Sequence, residues 1–345
     1  MKLSRILFIL AGLFIGLLLI EIFFRSFPSI TGVYTTQHNS IPKIYTEDKE
    51  RGYALLPDSK SRHISYYGDF DVVYHVNSQG VRSLKDTYGD KYAKRILLLG
   101  DSFVFGHGVE DNETLSSRLE NALNEKYGDS EFEVINGGIS GYNIDQEYLT
   151  LKKYSFLKPD IVLIGMCSND VVEIKNNNWV VDNKGDIIKV ITNIYADNDN
   201  RLRFVSDFSE KRVIEFLRRH SYTYTFLGIL KQVIRSKLRG RYREYRLDPS
   251  GLNKSIKVFS LFDSFCNNIG AELIIFSVEP SKSGSDSLIE YLKKDSKKDG
   301  FQFFDITGLY SLEKDLFYPR DGHWSPSGTK IIADWLTDKI INKYE

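Results

Sequence analysis

The sequence has few cysteines, few histidines and no excess of charge of either sign. Only two of its 345 residues are cysteines, Cys167 and Cys266, which excludes a disulfide-stapled scaffold and a cysteine-cluster zinc site. None of the six histidines forms an HExxH motif, so we expect no metal, and no motif calls for a cofactor. Lys and Arg total 46, as do Asp and Glu, and this balance gives no support to nucleic-acid binding.

The remaining composition is that of a folded chain with a sizeable core. Hydrophobic residues make up 42% of the sequence and aromatic residues 13%, which excludes wholesale disorder. The length allows one large domain with additions, or two modest domains. Because Cys167 ends a predicted buried strand and Cys266 lies in a predicted helix, we expect both to be reduced core residues.

One long apolar run lies near the N-terminus, from Ile6 to Phe24, and only Glu21 interrupts it. A helix of this length, at about 1.5 Å per residue, approaches the thickness of a bilayer's hydrocarbon core. Lys2 and Arg5 precede the run, so the positive-inside rule places the N-terminus in the cytoplasm. We therefore predict a single-pass anchor over residues 1–27 and an extracytoplasmic (periplasmic or extracellular) domain. The alternatives are a cleaved signal peptide, although no small-x-small cleavage site follows the run, and a buried helix of a soluble protein.

From Lys94 onward, short apolar runs alternate with segments of helical periodicity. The runs, each bounded by turn residues, are Ile96–Leu99, Phe132–Ile135, Ile161–Ile164, Leu273–Phe276 and Phe301–Phe304. Such runs are typical of strands that are buried on both faces of a parallel sheet. We predict an α/β fold over residues 94–345, a three-layer, flavodoxin-like open parallel sheet of about five strands with helices on both faces.

Two segments do not follow this alternation of predicted strands and helices. Residues 28–93 form a lead-in whose two alternating stretches, separated by Gly68-Asp69, predict a small β-hairpin. Residues 171–250 begin as a polar loop rich in Asn and Asp, and become basic over 211–247, with eleven Lys or Arg against two Glu. We predict a helical insertion there. Its basic part is open to three interpretations: a solvated helix face, a surface that docks on an anionic membrane, or a contact with an acidic glycan.

Glycines and polar residues follow the predicted strands, at the carboxyl ends where α/β sheets gather their functional groups. Four blocks result: Gly100-Asp101-Ser102-Phe103, NGGISGYN at 136–143, Asn169-Asp170 and Asp321-Gly322-His323-Trp324. A serine becomes a useful nucleophile when a base such as imidazole accepts its proton. Asp321 and His323 are two residues apart, so in an extended segment the carboxylate can orient the ring.

Two further observations concern the surroundings of this serine. An oxyanion could be stabilised by the Ser102 N–H, by a backbone N–H of the glycine turn and by the Asn169 side-chain amide. His107 lies five residues after Ser102, between two glycines, where it could line the pocket. We expect it instead to be an exposed loop histidine.

In this order, the four blocks resemble the SGNH/GDSL hydrolase family, over about residues 94–343 without the 171–250 insertion. The resemblance implies that Ser102 is the nucleophile and that Asp321 with His323 is its base. It also implies that Gly141 and Asn169 complete an oxyanion hole with the Ser102 N–H. The last block, with its two-residue spacing and following Trp, resembles the polysaccharide O-acetyltransferase branch.

The expected function follows from this resemblance and from the N-terminal run. We expect a membrane-anchored serine ester hydrolase that removes O-acyl (acetyl) groups from a cell-envelope saccharide. The alternatives are an O-acyltransferase acting on a polysaccharide hydroxyl, a lipase or lysophospholipase, and a catalytically silent glycan-binding module. The expected partners are a small-molecule or saccharide ester and the membrane, through residues 6–24 and with segment 211–247 as a further candidate.

Overall fold

A computed structural model describes residues 2–28, 42–65, 68–87, 94–204, 216–217, 220–239, 249–278, 286–296, 301–306, 308–309 and 315–344. Helix α1 (Lys2–Ser26) comes first, followed by the lead-in strands β1 (Tyr45–Asp48), β2 (Gly52–Leu55), β3 (Ser59–Ile64) and β4 (Asp71–Val76). The next elements are β5 (Lys94–Gly100), α2 (Ser102–Phe105), α3 (Leu115–Tyr127), β6 (Phe132–Asn136), α4 (Ile144–Tyr154), β7 (Ile161–Met166) and α5 (Ser168–Glu173). They are followed by β8 (Asn178–Val181), β9 (Ile187–Ile191), β10 (Ile194–Ala196), β11 (Leu202–Phe204), α6 (Tyr222–Arg239) and α7 (Pro249–Ile269). The last elements are β12 (Glu272–Ser277), α8 (Asp286–Asp295), β13 (Gln302–Phe304) and α9 (Pro326–Tyr344).

Five strands form one parallel sheet in the order β6-β5-β7-β12-β13. Counted by appearance in the chain this order is 2-1-3-4-5, which is the flavodoxin-like arrangement. The predicted fold class is therefore confirmed. The order reverses between β5 and β7, and in open α/β sheets ligands bind outside the carboxyl ends of the strands at such a switch point.

Alternation along the strands separates two apolar layers. In β5, Leu97 and Leu99 face a cluster formed with α4 and α7, while Ile96 and Leu98 face a cluster formed with α3 and α9. Cys266 belongs to the first cluster and Cys167 to the second; both are buried and neither forms a disulfide, as expected. Helices thus cover both faces of the sheet and leave the strand ends to carry the polar blocks.

The lead-in packs directly on the α/β part. Strands β3 and β4 pair antiparallel on either side of the Gly68-Asp69 turn, as predicted, and β1 and β2 form a second hairpin. Tyr53 and Tyr74 from these hairpins are buried in one cluster with Phe105 and Tyr142 of the α/β part. The lead-in is therefore built into the wall beside the loops that follow β5 and β6.

The beginning of the predicted helical insertion has a different structure from the one expected. Instead of a polar loop, residues 178–204 form two antiparallel hairpins, β8–β9 and β10–β11. Ile187 and Val190 of β9 are buried in the core cluster next to α4, which makes this hairpin part of the fold. Among the described residues of its later part, Tyr222–Arg239 are helical and form α6.

Among the described residues, one helix is long and apolar enough to cross a membrane. It is Arg5–Ser26 within α1, with a mean hydropathy of 2.8, and no residue of its most apolar stretch is buried. This finding concerns length and composition, and it agrees with the predicted anchor.

Candidate active site

The serine predicted to be a nucleophile begins a short helix at the switch point. Ser102 is the first residue of α2, and Asp101 caps this helix by accepting the Phe103 N–H at 2.9 Å. Gly100 has a positive φ and lies so close to β7 that a Cβ would meet the Gly165 carbonyl oxygen. The two glycines let α2 sit directly on the ends of β5 and β7, which holds the serine above the sheet.

Ser102, His323 and Asp321 form a continuous hydrogen-bonded chain. The Ser102 Oγ is 2.7 Å from the Nε2 of His323, and the His323 Nδ1 is 2.5 Å from an Asp321 carboxylate oxygen. Ser102 and His323 are 221 residues apart in the sequence. With a hydrogen on Nδ1, the imidazole presents an Nε2 lone pair to the serine hydroxyl, which is the arrangement a general base needs.

A lead-in residue holds the loop that carries Asp321. The Asp69 carboxylate, in the β3–β4 turn, accepts the N–H groups of Arg320 and Asp321 at 3.1 and 2.8 Å. Behind the loop, Trp324 is buried and packs edge-on against Phe103, with ring centroids 5.1 Å apart. The tryptophan of the last block is thus a core residue that supports the loop.

A second imidazole lies against the first. The ring of His107 stacks on that of His323 with centroids 4.2 Å apart, and its Nε2 is 3.7 Å from the second carboxylate oxygen of Asp321. Only 22% of the His107 side chain is exposed. The expectation of an exposed loop histidine was therefore wrong. Its flanking residues, Gly106 and Gly108, both have positive φ angles and turn the loop back towards the site.

A third imidazole from the lead-in supports His107. The edge of the His63 ring approaches the His107 ring with centroids 4.9 Å apart. The Tyr74 hydroxyl accepts the Gly108 N–H at 2.8 Å and lies 2.9 Å from the Nδ1 of His63, to which it can donate. Burial and, to a smaller extent, the neighbouring His107 lower the pKa of His63 to about 3, so its ring is neutral. The lead-in thus fixes the loop that follows α2.

The electrostatics favour an ionised Asp321 next to a neutral His107 imidazole. Burial raises the pKa of Asp321, but its contacts with His107 and His323 outweigh this and hold the pKa well below the usual value. For His107, burial and the adjacent His323 lower the pKa. An ionised Asp321 can stabilise the imidazolium that forms when His323 accepts a proton.

The two further oxyanion candidates lie on neighbouring strand ends. Gly141 follows β6 with a φ of 81°, in a turn where the Tyr53 hydroxyl donates to the Ser140 carbonyl at 3.0 Å. The backbone of Asn169 lies in the first turn of α5, three residues after the end of β7, but its side chain lies outside the described part of the structure. The fold thus places both blocks on strands adjacent to β5.

A match to a family model identifies the protein family of this chain. The model described as GDSL-like Lipase/Acylhydrolase matches residues 96–336, which is well over half of the chain. The chain belongs to this family. The match confirms the resemblance seen in the four sequence blocks, and it indicates that the protein is an ester hydrolase of GDSL type.

Several solved structures are similar to this chain at low sequence identity. A lipase/acylhydrolase from Enterococcus faecalis is 13% identical with a TM-score of 0.40, covering 72% of this chain and 96% of that one. An acetyl-xylooligosaccharide esterase from Geobacillus is 14% identical with a TM-score of 0.39, covering 72% and 94%. A two-domain esterase active on acetylated mannans is 12% identical with a TM-score of 0.37, covering 73% and 50%. No curated protein matches the sequence significantly.

The GDSL site also contains a group of atoms that could be metal ligands. One donor atom from each of His107, Asp321 and His323 lies within 4.8 Å of the others. Two features disfavour a shared ion. The His107 and His323 rings are stacked, so their in-plane lone pairs do not converge, and both nitrogens of His323 already contact Ser102 or Asp321.

Sequence reasoning missed the residues that the lead-in contributes to the GDSL site. His63, Asp69 and Tyr74 lie in a segment whose sequence indicates only a hairpin, and their roles depend on how that hairpin packs. For His107, the glycines on either side were a usable signal, because two adjacent turns in a loop after the nucleophile can direct the intervening side chain inward.

Proposed function

We propose that this protein is a membrane-anchored serine carboxylic-ester hydrolase that removes O-acyl groups, acetyl above all, from a cell-envelope saccharide. The observation that carries the catalytic part is the chain from the Ser102 hydroxyl through His323 to Asp321. Helix α1 supports the location, since a span of its length and hydropathy would hold the domain beside the envelope. We assign a saccharide of the cell envelope as the substrate because the domain would lie beside the envelope.

The proposed reaction passes through an acyl-serine. The Ser102 oxygen attacks the ester carbonyl carbon while its proton moves to the Nε2 of His323. The tetrahedral intermediate expels the sugar oxygen, which takes that proton and leaves as the alcohol. Water then attacks the acyl-serine and gives a proton to His323. The second tetrahedral intermediate expels the Ser102 oxygen, which takes that proton from His323 as the carboxylic acid leaves. Asp321 remains ionised throughout and stabilises the imidazolium.

The oxyanion is assigned to donors at three strand ends. The Ser102 N–H lies in the first turn of α2, where N–H groups have no acceptor within the helix. We assign the other donors to the Gly141 N–H and the Asn169 amide, by their match to the family blocks and their position on β6 and β7.

Substitution of the nucleophile tests this proposal. Ser102→Ala removes the attacking oxygen, and His323→Ala removes the base, so each should lower the turnover of p-nitrophenyl acetate by roughly three orders of magnitude. Ser155→Ala, which also removes a serine hydroxyl but in a short turn outside the site, is the matched control and should retain full turnover. Near-normal turnover by folded Ser102→Ala protein would contradict the mechanism.

The fate of the acyl group distinguishes hydrolysis from transfer. Incubation with an acetylated saccharide should yield an acetyl-Ser102 adduct by mass spectrometry and then free acetate. An acetyl group that appears on a second sugar hydroxyl, with no free acetate in solution, would make the protein an O-acyltransferase. Turnover of a lysophospholipid in preference to every acetylated saccharide would refute the saccharide assignment.

A further inference from the structure

Helix α6 is attached to the C-terminal end of the apolar helix α1 by a partly buried carboxylate, that of Glu21. Glu21 lies in the second-last turn of α1 and accepts three hydrogen bonds from the beginning of α6. The donors, at 2.9 to 3.0 Å, are the Ser221 hydroxyl and the N–H groups of Tyr222 and Thr223. A negative charge at a helix N-terminus satisfies N–H groups that lack an intrahelical acceptor and opposes the helix dipole. The single charge inside the apolar run therefore caps a helix that lies 200 residues later.

Two further contacts strengthen this joint. The Arg25 guanidinium donates to the His220 carbonyl oxygen at 2.7 Å and lies 5.4 Å from the centre of the Tyr222 ring. Phe24 and Phe226 stack with their ring centroids 4.6 Å apart. If α1 spans a bilayer with its N-terminus in the cytoplasm, the joint lies at the outer boundary of the hydrocarbon, and α6 begins there.

Helix α6 carries an exposed apolar stripe. Leu227, Leu230 and Ile234 follow one another at intervals of three and four residues, which places them on one face of the helix. They are 55%, 42% and 48% exposed. Tyr222 and Phe226, at an interval of four, occupy the neighbouring face that contacts α1. The stripe thus continues the apolar surface of α1 along α6.

A row of basic positions runs beside this stripe. Lys231, Arg235 and Arg239 follow at intervals of four residues, so they share one side of the helix, and α6 contains no acidic residue. An apolar stripe flanked by basic positions is typical of helices that lie in the surface of an anionic membrane. A second copy of α6 would bring like charges together, which disfavours self-association through this face.

We infer that α6 lies in the outer surface of the membrane, with the Leu227–Leu230–Ile234 stripe in the acyl-chain boundary and the basic row at anionic headgroups. The inference rests on the proposed function in one respect, that α1 spans the membrane. Because Glu21 and Arg25 fix the start of α6 to α1, the two helices together would hold the hydrolase domain against the membrane.

Fluorophore position tests this inference in the full-length chain. Leu230→Cys and Ile191→Cys are each labelled with an environment-sensitive fluorophore and reconstituted into phosphatidylcholine vesicles with about 30% phosphatidylglycerol. Ile191 is the matched control, because it is equally apolar and exposed but lies on β9. Cys167 and Cys266 are buried, and the unsubstituted chain measures their background labelling. Nitroxide-labelled acyl chains should quench the label at 230 at least about threefold more strongly than the label at 191.

A charge-reversal variant tests the role of the basic row. Combining Lys231→Glu, Arg235→Glu and Arg239→Glu should weaken the quenching of the label at 230 by lipid nitroxide and leave hydrolysis of p-nitrophenyl acetate unchanged.

Equal quenching of both labels by aqueous iodide would show a solvated α6 and overturn the inference. Protection of the label at 230 from both lipid nitroxide and iodide would reveal a protein partner and also overturn it. A carbonate wash of the same vesicles separates the two proposals: extraction of the chain refutes the anchor, whereas retention with a water-exposed label refutes only the docking of α6.

Discussion

Asp321 faces two imidazoles, and only one of them contacts Ser102. His323 approaches one carboxylate oxygen and His107 the other, while the two rings stack. A carboxylate held on both sides has little freedom to rotate, and its position determines the orientation of His323. His107 is thus expected to act as a positioning residue.

Replacing His107 by Phe tests this role. His107→Phe keeps a flat ring over His323 but removes the nitrogen next to Asp321, so kcat should fall roughly tenfold while KM stays nearly constant. His75→Phe is the matched control, since His75 pairs with Asp111 at 2.6 Å without contact to His323 in the described contacts. Steady-state kinetics on a small activated ester provide the measurement. Equal losses in the two variants would show that the effect is general destabilisation.

Glu147 of α4 is a buried acid that the proposed reaction does not use. It is fully buried, and neither carboxylate oxygen has a hydrogen-bond partner among the described residues. Burial raises the pKa of Glu147 well above its usual value, and the nearby carboxylates of Asp101 and Asp145 raise it further. The folded chain therefore holds this side chain protonated, whereas the unfolded chain ionises it near its ordinary value of 4.5.

This difference in the pKa of Glu147 makes the free energy of unfolding depend on pH. Above about pH 4.5 the folded state binds one more proton than the unfolded state, so Glu147 lowers the free energy of unfolding as the pH rises, by at most about 1.4 kcal/mol per unit. Glu147→Gln cannot ionise, so its stability relative to the parent chain should increase between pH 5 and 8. Urea unfolding at several pH values measures this. The exposed Glu125→Gln should shift stability by less than about 0.5 kcal/mol at every pH, and a pH-independent difference for Glu147→Gln would contradict the argument.

At the scale of elements, one arginine fastens the lead-in to the loop that carries His107. The Arg82 side chain is fully buried and donates to the carbonyl oxygens of Phe105, Gly106 and Val109. Its Nε also donates to Asp111 at 3.0 Å. These contacts hold the chain between α2 and α3 in the conformation that brings His107 to the site.

Removal of this arginine should damage both stability and activity. Arg82→Ala removes the arginine partner of the buried Asp111 carboxylate and one donor from each of three carbonyl groups, which should cost about 3–5 kcal/mol of unfolding free energy. Arg62→Ala is the control, because Arg62 pairs with Asp71 at the surface and should contribute less than about 1 kcal/mol. Chemical denaturation and ester turnover are measured for both. If Arg82→Ala loses no more unfolding free energy and ester turnover than Arg62→Ala, the contacts of Arg82 do not hold the lead-in to the His107 loop.

The sequence predicted the elements whose signal is local. Strands β5 and β7 are continuous apolar runs because both of their faces are covered, and the nucleophile and base blocks stand at loop positions with a chemical signature. Hairpin β8–β9 gave no such signal, since its surroundings are polar. Its place depends on a distant contact, the hydrogen bond of 2.6 Å from the Trp179 indole to Asp145 of α4. The same holds for His63, which reaches the site only through the packing of the lead-in.

At the scale of the whole molecule, the site combines parts that are remote in sequence. The nucleophile comes from the end of β5, the base from the loop before α9, and the support from the β3–β4 turn of the lead-in. The lead-in also connects the hydrolase domain to α1, and the Glu21 joint makes a second connection through α6. Attachment by two routes would restrict the orientation of the site relative to the membrane more than a single tether does.

The last prediction concerns α1 and the side of the membrane on which the hydrolase domain lies. Full-length protein should stay in the membrane fraction after carbonate washing, and a tag after Glu345 should be cleaved by external protease once any outer layer is permeabilised. Leu13→Lys with Leu17→Lys is the control, since each charge at the centre of the span costs about 2.5–3.5 kcal/mol on insertion scales and should abolish retention. A soluble species that begins after residue 25 would establish a cleaved signal peptide instead. A tag that remains protected from the protease would place the domain in the cytoplasm, where an envelope saccharide is out of reach.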